Sequence, residues 1–470
     1  MNSNLSLNFN SYFNFFFFLA PIFVSLGSAA TNLYSIILLI FCIIWKFKNK
    51  IILTFFSYEK YLFLFIVYTL AINLYLGNIS GLIKVVNLLL FFFIILVFKN
   101  FKENLKFSNK IKNLYLVFFL LIIIDSLTQF FIGKNIFGIE LAAGGRVSGI
   151  FGDEAILGSF MSKFFIMITG LLLFNSNNNK FFRIGFIFYF LLFLIIIFLS
   201  GERVAFLIAI LSLFFYFFYV NKFKHLLTLF LIFIIFIIIL LKSNLLNNYK
   251  ETYLKFFADL GISNTLSEKY STQNYIDQEH SEYIHGLLKG KKKYTSEWFA
   301  RELGITVEKV EELRANNKNK KNNFLNSYHG GLFLNSIILT KDNIFFGTGI
   351  KQYRIKCVKN SELFNGSYAK NFYYKNNLYK LYCSTHPHNI YLEILVETGL
   401  IGFIIFILFV LTYLKSIMTK PKDNFFSTII VTNLTLFFPF TTTGSFFSSS
   451  YFIYFLFFIL LGTSYKSKNV

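Results

Sequence analysis

The stretch Cys383–Phe403, CSTHPHNIYLEILVETGLIGF, passes from a polar cluster into the start of a long apolar run. Two histidines, an asparagine and two glutamates stand directly before residues with the composition of a membrane-spanning helix. Crossing a bilayer takes about 20 apolar residues, and several runs in the chain approach or exceed that length. The stretch therefore predicts a membrane protein that places titratable side chains at the edge of the bilayer.

The composition of the whole chain supports a membrane protein. Of its 470 residues, 56% are hydrophobic and 14% are charged, whereas soluble domains carry about 25% charged residues. The formal net charge of +22 could indicate a nucleic-acid partner. Many lysines, however, stand in short loops between apolar runs, which is typical of cytoplasmic loops. No nucleic-acid partner is predicted, and the N-terminus lacks the basic region of a cleavable signal peptide.

The apolar runs predict an all-α, polytopic fold of about twelve membrane-spanning helices. The predicted spans are 12–26, 30–45, 60–76, 82–98, 113–131, 156–174, 182–199, 204–220, 225–241, 398–415, 424–440 and 451–464. The loops and tail on one side contain fifteen lysines, whereas the short loops on the other contain Lys134, Arg146 and Arg203. Because lysine and arginine concentrate in cytoplasmic loops, both termini are predicted to be cytoplasmic.

This orientation divides the chain into three parts. Residues 1–241 carry nine helices, residues 242–397 form a large polar segment outside the membrane, and residues 398–470 carry the last three helices. Within the polar segment, Tyr294–Leu313 has the pattern of two short amphipathic helices around a glycine turn, similar to a DNA-binding helix-turn-helix. Outside the membrane it cannot meet DNA, so we interpret it as part of an inserted helical hairpin near 265–325.

Two arginines stand in glycine-rich stretches on the predicted outer side. Arg146 belongs to GGRVSGIFGDEAILGSF, and Arg203 belongs to the short turn LSGERVAFL together with Glu202. Both arginines suit a phosphate ligand, because a guanidinium group binds phosphate oxygens bidentately. Simpler interpretations stay open: Arg203 could extend to lipid phosphates, and Arg146 could pair with Asp153 or Glu154.

Of the six histidines, three stand near small recognisable motifs of the polar segment: His329, His386 and His388. Zinc is one alternative ligand, because His-Pro-His and Glu393 offer suitable donors, although the i, i+4 histidine pair of metalloproteases is absent. A helix that begins near Pro387 would carry on one face His386, Asn389, Glu393 and Glu397. Spacing alone does not choose the reactive histidine, and the two glutamates stay unassigned.

Together these stretches resemble the O-antigen ligase and O-antigen polymerase family of bacterial envelope glycan enzymes. The matching elements are RVSGIFGDEAILGSF, SGERVAFL, NIFFGTGIKQYRIKC and CSTHPHNIYLEILVETGLIGF, within residues 140–410. Twelve spans with a large outer segment between the ninth and tenth also fit. The resemblance implies a GT-C-like protein of the bacterial inner membrane with its active site facing the periplasm.

The resemblance also implies an activity. A glycan moves from undecaprenyl pyrophosphate to a hydroxyl acceptor at the membrane surface, with no metal ion or other cofactor. The acceptor is another glycan repeat in a polymerase and lipid A–core in a ligase, and the shared motifs do not separate the two. A flippase or transporter of lipid-linked glycan is the alternative from another class, with Asp125 in the fifth span as its candidate proton carrier; transporters, however, bury polar groups near the bilayer midplane.

Carried over by motif, the resemblance implies roles for particular residues. His388 would be the base that deprotonates the acceptor hydroxyl, and Arg146 and Arg203 would hold the pyrophosphate. Weaker candidates for lining the site are Glu202, His329, Arg354, His386 and Asn389. In an oxidising outer compartment, Cys357 and Cys383 would form a disulfide that braces the segment before His388.

Overall fold

The computed structural model describes most of the chain, with gaps. The described residues are 12–49, 57–99, 108–142, 145–152, 156–174, 180–219, 324–359, 362–364, 367–374, 377–420, 424–441 and 444–464, with Leu53, Phe55, Glu154, Tyr249, Tyr253 and Glu308. The ninth predicted span, 225–241, and nearly all of the predicted hairpin near 265–325 lie outside the described residues.

Helices account for most of the described chain. Before residue 220 they are α1 (Ala20–Ser25, the end of an apolar helical stretch from Tyr12), α2 (Ser28–Asn49), α3 (Ser57–Tyr75), α4 (Ile79–Phe98), α5 (Asn109–Ile132), α6 (Leu157–Phe174), α7 (Lys180–Leu199) and α8 (Arg203–Tyr219). After residue 323 they are α9 (Tyr328–Lys341), α10 (Tyr353–Lys359), α11 (Ile390–Met418), α12 (Asn424–Leu436) and α13 (Ser449–Ser464).

Apart from the ninth, every predicted span coincides with one of these helices. By length and composition, four helices of the described chain could cross a membrane: Ser28–Lys48, Ile79–Phe98, Asn109–Ile132 and Ile390–Met418. Shorter apolar helices accompany them, including Leu157–Leu171, Arg203–Tyr219 and Ser449–Ser464. The described chain thus has the helices of a polytopic membrane protein.

The prediction of an all-α fold needs one correction in the polar segment. Strands β1 (Glu362–Phe364), β2 (Ser367–Tyr374) and β3 (Asn377–Tyr382) form a three-stranded antiparallel sheet in chain order. Phe364 pairs with Ser367, and Tyr374 pairs with Asn377. The sequence Asn-Gly stands between β1 and β2, and it is the signal that predicts such a hairpin. The prediction of an all-α fold followed the helical composition of the rest of the chain instead.

The chain divides into two compact units. The first comprises Met1–Leu245, Thr340–Tyr353 and His388–Val470, and the second comprises Leu246–Leu339 and Arg354–Pro387. The long polar segment of the sequence analysis is therefore shared between the two units.

Helix α13 lies in the core of the first unit, because every side chain from Tyr451 to Gly462 is buried. A helix that is apolar on all sides belongs in an interior. Aromatic rings pack around it: the ring of Phe164 lies 5.7 Å from that of Tyr454 and 5.4 Å from that of Phe458, centroid to centroid. Helix α12 packs against α6, α8 and α13, while α11 packs against α3. This packing brings α6, α8 and α12 together.

Helix α11 is broken at Gly399, whose backbone has φ 68° and ψ −175°. A loop of the first unit, residues 344–349, fills the break. Four backbone hydrogen bonds join them: Leu400 N–H to Ile344 O (2.8 Å), Ile401 N–H to Phe345 O (3.3 Å), Thr348 N–H to Val396 O (2.9 Å) and Gly349 N–H to Glu397 O (2.9 Å). Backbone groups away from water need partners within the protein, and the loop supplies those that the break removes from the helix.

Two glycines make this approach possible. A Cβ atom on Gly399 would lie 2.3 Å from the carbonyl oxygen of Phe345, and one on Gly347 would lie 2.4 Å from the nitrogen of Gly399. Both glycines have a positive φ, 68° and 73°, which side chains of L-residues rarely tolerate. The Gly-Thr-Gly sequence at 347–349 thus has a structural role.

Candidate active site

The turn between α7 and α8 is fixed to the beginning of α6 by Glu202. Its carboxylate oxygens accept the backbone N–H groups of Gly158, at 2.6 Å, and Ser159, at 3.0 Å. Such N–H groups have no partner within their own helix and favour a negative charge. Burial raises the pKa of Glu202 to about 7, and the two N–H groups, Lys163 and Arg146 offset part of that rise. Glu202 therefore positions the turn.

Arg146 lies against the same turn. Gly201 has a φ of 68°, and a Cβ atom there would lie 2.9 Å from Cδ of Arg146. The backbone of Arg146 is held beside the turn, because Val147 N–H donates to Leu199 O at 3.2 Å. Arg203 follows directly as the first residue of α8 and is half-buried. The structure thus brings the two predicted phosphate ligands to one turn.

The ion pair proposed for Arg146 is not formed with the described carboxylates. Glu154 is exposed, and no carboxylate of the described chain lies within 4.0 Å of the Arg146 guanidinium group. Asp153 lies outside the described residues. Arg146 therefore forms no ion pair with a described carboxylate, although its charge acts on nearby Glu202.

A polar network on α5 holds the loop that carries Arg146. The side-chain oxygen of Gln129 accepts the N–H of Gly149 at 2.7 Å, and Asn135 donates to the carboxylate of Asp125 at 3.3 Å. Gln129 and Asp125 are both buried. These bonds give Asp125 a structural role at this loop. Sequence reasoning missed Gln129, although a glutamine inside an apolar run is itself a signal.

His388 is held at the beginning of α11 in an unusual backbone conformation. Its φ is 56°, in the left-handed region that non-glycine residues rarely enter. The side chain is half-buried, and burial lowers the pKa of the imidazole from 6.5. The ring is therefore neutral at pH 7 and can accept a proton.

Asn389 fixes the position of His388. Its side-chain oxygen accepts the N–H groups of Tyr391 and Leu392 at 3.0 and 3.1 Å, and its amide donates to the Pro439 carbonyl at 2.7 Å. Such caps stabilise a helix by about 1 kcal/mol. The helix therefore begins at Ile390 rather than near Pro387, which corrects the predicted face: His386 is not on α11.

Glu393 anchors a second loop. Its carboxylate accepts the hydroxyl of Ser445 at 2.5 Å and the N–H of Phe446 at 2.7 Å. Lys351 donates to the same Ser445 oxygen at 2.5 Å. Glu397 is also buried and belongs to the break in α11 through its backbone carbonyl. The two glutamates that the sequence left unassigned thus hold loops around the beginning of α11.

The remaining predicted site residues belong to the second unit. His329 is half-buried in the first turn of α9, and Arg354 is exposed on α10. Nδ1 of His386 lies 3.0 Å from the hydroxyl oxygen of Thr385. The structure therefore groups Arg146, Arg203, Glu202, His388 and Asn389 in the first unit and His329, Arg354 and His386 in the second.

The family model described as O-antigen ligase matches residues 188–407. This part of the chain belongs to the O-antigen ligase family. The matched region contains Glu202, Arg203, the broken part of α11 and His388, whereas Arg146 precedes it. Membership indicates ligase or polymerase activity in envelope polysaccharide assembly. No curated protein and no solved structure matches the chain significantly.

The O-antigen ligase region also contains a cross-link. Cys357 and Cys383 form a disulfide with their Cα atoms 5.6 Å apart, which joins α10 to the end of β3. Asn335 on α9 donates to Cys357 Sγ and to the carbonyl of Tyr382, both at 3.0 Å. These contacts tie three elements of the second unit together, and the disulfide ends five residues before His388.

Removing the cross-link is expected to destabilise the protein. A disulfide that closes a loop of 26 residues stabilises by about 3 kcal/mol, because it restricts the unfolded chain. Cys383→Ser should therefore lower the thermal midpoint, whereas Cys42→Ser, at the buried free thiol, leaves the cross-link intact as a control. Mass spectrometry of protein from native membranes should find Cys357 and Cys383 linked; two free thiols there would contradict the pairing.

The O-antigen ligase motifs gave no reason to single out Lys163, which lies in the second turn of α6 near Glu202. Its nitrogen donates to the hydroxyl of Ser159 at 2.7 Å and to the carbonyl of Ser159 at 3.2 Å. A lysine inside an apolar run is costly, and that cost is the signal that could have found it.

For the zinc alternative, the described residues contain no group of three or more His, Cys, Asp or Glu side chains that could hold a metal ion.

Proposed function

We propose that this protein is a membrane glycosyltransferase that moves a glycan from undecaprenyl pyrophosphate to a hydroxyl acceptor in surface-polysaccharide assembly. It acts as a polymerase or as a ligase. The observation that carries the proposal is the setting of His388: a neutral, half-buried imidazole in left-handed backbone, capped by Asn389, within the O-antigen ligase match. Backbone strain at a titratable residue is typical of functional sites.

In the proposed reaction, the imidazole of His388 takes the proton of the acceptor hydroxyl as its oxygen attacks the anomeric carbon. The bond from that carbon to the pyrophosphate oxygen breaks, and its electron pair leaves with the pyrophosphate. Attack in line with the leaving group inverts the anomeric centre. Positioned general bases contribute about 10²- to 10⁴-fold to such rates.

The leaving pyrophosphate gains negative charge in the transition state. In the proposal, Arg146 and Arg203 hold it, because fixed cations stabilise charge that develops there more than charge already present in the ground state. Glu202 keeps the turn that carries both arginines attached to α6. The proposal assigns this charge stabilisation to guanidinium groups and includes no metal ion.

The distribution of lysines supports a location for the site. Positive loops mark the cytoplasmic side of bacterial inner-membrane proteins, and the turn at Glu202 is predicted to lie on the opposite side. We therefore place the reaction at the periplasmic face, with both termini in the cytoplasm.

Reconstitution in proteoliposomes tests the function. The protein receives a lipid-pyrophosphate glycan and either the same repeat unit or lipid A–core as acceptor. Product on the repeat unit identifies a polymerase, and product on core identifies a ligase. Movement of the lipid between leaflets without either product would replace the proposal by a transporter.

Arg146 provides a test within the same assay. Arg146→Ala is expected to weaken donor binding about tenfold or more and to slow turnover as well, because a charge-assisted hydrogen bond contributes about 1.5–3 kcal/mol. Arg146→Lys should recover part of the binding but not the bidentate geometry. Lys134→Ala, which removes an exposed loop charge paired with Glu140, is the control. Unchanged donor binding in Arg146→Ala contradicts the assignment.

A further inference from the structure

The loop that fills the break in α11 carries three consecutive apolar side chains that the protein leaves uncovered. Ile344, Phe345 and Phe346 are 48%, 57% and 54% exposed. They belong to the first unit, although the sequence places them in the segment predicted to lie outside the membrane. A patch of large exposed apolar side chains marks a surface that contacts a membrane or another protein.

The patch continues an exposed apolar stripe on α11, a helix long enough to cross a membrane. After the break, the exposed side chains include Ile401, Ile404, Leu408 and Leu411, and side chains spaced three or four residues apart share one face of a helix. The stripe reaches the loop directly, because Ile401 N–H donates to Phe345 O at 3.3 Å. Since the uncovered apolar face of a membrane-spanning helix contacts hydrocarbon, the loop lies at the end of a lipid-facing surface.

The loop also runs along α3, away from the end of that helix. Ile350 N–H donates to the side-chain oxygen of Asn73 at 3.1 Å, near the end of α3. Further along the loop, the hydroxyl of Tyr68 donates to Phe345 O at 3.1 Å. Asn73 and Tyr68 are five residues apart, which is about 7.5 Å along a helix axis. Phe345 therefore lies on the membrane side of the turn between α3 and α4.

The backbone of the loop is suited to a lipid environment. A carbonyl group in hydrocarbon needs a hydrogen-bond donor from the protein, because lipid tails offer none. The carbonyl of Ile344 accepts Leu400 N–H at 2.8 Å, and that of Phe345 accepts both Ile401 N–H and the hydroxyl of Tyr68. The exposed side chains at 344 and 345 thus belong to residues whose carbonyl groups are already bonded within the protein.

We propose that the side chains of residues 344–346 insert into the bilayer leaflet on the side of His388. With the orientation predicted from the lysines, this is the outer leaflet. The two residues just before the loop asparagine, Lys341 and Asp342, are exposed and lie at the level of the lipid headgroups, where charged side chains are tolerated. The partner is the bulk phospholipid of the membrane, so the inference does not depend on the reaction that the protein performs.

Tryptophan fluorescence in lipid nanodiscs tests the insertion. The two native tryptophans, Trp45 and Trp298, are replaced by phenylalanine, so that Phe346→Trp is the only reporter. Phosphatidylcholine brominated near the top of its acyl chains should remove most of the reporter's emission, whereas iodide, which stays in water, should have little effect. Leu408→Trp, on the exposed stripe of α11, should behave in the same way. Lys359→Trp, at an exposed position of α10, is the control that iodide should quench and brominated lipid should not.

A second reporter answers the same question where the tryptophan variant does not fold. Phe346→Cys is labelled with a nitroxide in a chain whose buried free thiol, Cys42, is replaced by serine. Collisions of the label with oxygen, which concentrates in the bilayer, should exceed those with a water-soluble nickel chelate.

Two results overturn the inference. Quenching of Phe346→Trp by iodide to the level of Lys359→Trp would place the loop in water, and protection from both quenchers would show that protein covers the patch. The proposed function fails separately, because these measurements use no glycan. Quenching by brominated lipid without glycan transfer to either acceptor retains the insertion and removes the function, whereas glycan transfer with quenching by iodide retains the function and removes the insertion.

Discussion

Replacing His388 by asparagine is expected to lower the rate of glycan transfer by about 10²- to 10⁴-fold, the contribution of a general base. Asparagine is the suitable replacement, because His388 has a φ of 56° and asparagine tolerates left-handed backbone better than most residues. Donor binding should remain, since the pyrophosphate is assigned to other side chains. The measurements are turnover in proteoliposomes and donor affinity in detergent.

His386→Asn is the matched control for this prediction. His386 is two residues away in the same sequence motif, but it belongs to the other unit and is not on α11. We expect His386→Asn to keep most of the activity. Full activity in His388→Asn together with loss of activity in His386→Asn would move the role of base to His386.

The pH dependence of the rate follows from the same group. Burial lowers the pKa of His388 from 6.5, so the neutral base should persist as the pH falls from 8 to 6.5. The rate should then decline as the pH drops through the lowered pKa. Glu202, whose pKa burial raises to about 7, titrates in the upper part of this range, and Glu202→Gln separates the two groups. A decline between pH 8 and 7 that persists in Glu202→Gln contradicts a lowered pKa at His388.

The second large effect is expected at the break in α11. Gly399→Ala adds a Cβ atom that would lie 2.3 Å from the Phe345 carbonyl oxygen, in a backbone with a φ of 68°. The left-handed backbone and the overpacking together are expected to cost about 2–5 kcal/mol. The thermal midpoint and the monodisperse fraction in detergent should both fall. Gly347→Ala should act in the same direction, because its Cβ atom meets the backbone of Gly399.

Gly444→Ala is the control for this substitution. A Cβ atom on Gly444 would meet nothing within 4 Å, and its φ is not in the left-handed region. The variant should therefore keep the midpoint of the unchanged protein. Equal midpoints for Gly399→Ala and Gly444→Ala would show that the loop can retreat from the helix at little cost.

The helices of this protein were predictable from sequence because long apolar runs carry their own signal. The beginning of α11 was harder to predict. Pro387 favours an earlier start of the helix, but the side chain of Asn389 accepts two backbone N–H groups, and the first helical residue is Ile390. The turn with Glu202 and Arg203 could be singled out, because charges between two apolar runs need partners. The hydrogen bonds between Glu202 and the beginning of α6 could not be predicted, since the N–H groups involved lie more than 40 residues away in sequence.

The break at Gly399 was beyond a local interpretation of the sequence. Gly399 stands at the beginning of the predicted span 398–415, where a glycine gives no sign of a break inside a longer helix. The interrupted hydrogen bonds are compensated by residues about 50 positions earlier. Lys163 was missed for a related reason. One lysine hardly changes the composition of an apolar run, and its position beside hydroxyl groups of α12 follows only from the packing of α6 against α12.

The loop in the broken helix also sets where hybrids of related enzymes can be joined. Exchanging residues 242–397 as a cassette between this protein and another member of the O-antigen ligase family would separate residues 344–349 from the part of α11 after the break, to which Ile344 and Phe345 are hydrogen-bonded. A cassette with a side chain at position 347 would clash with a host that keeps this backbone path. A hybrid is therefore expected to fold only when the loop and the broken helix come from the same parent protein.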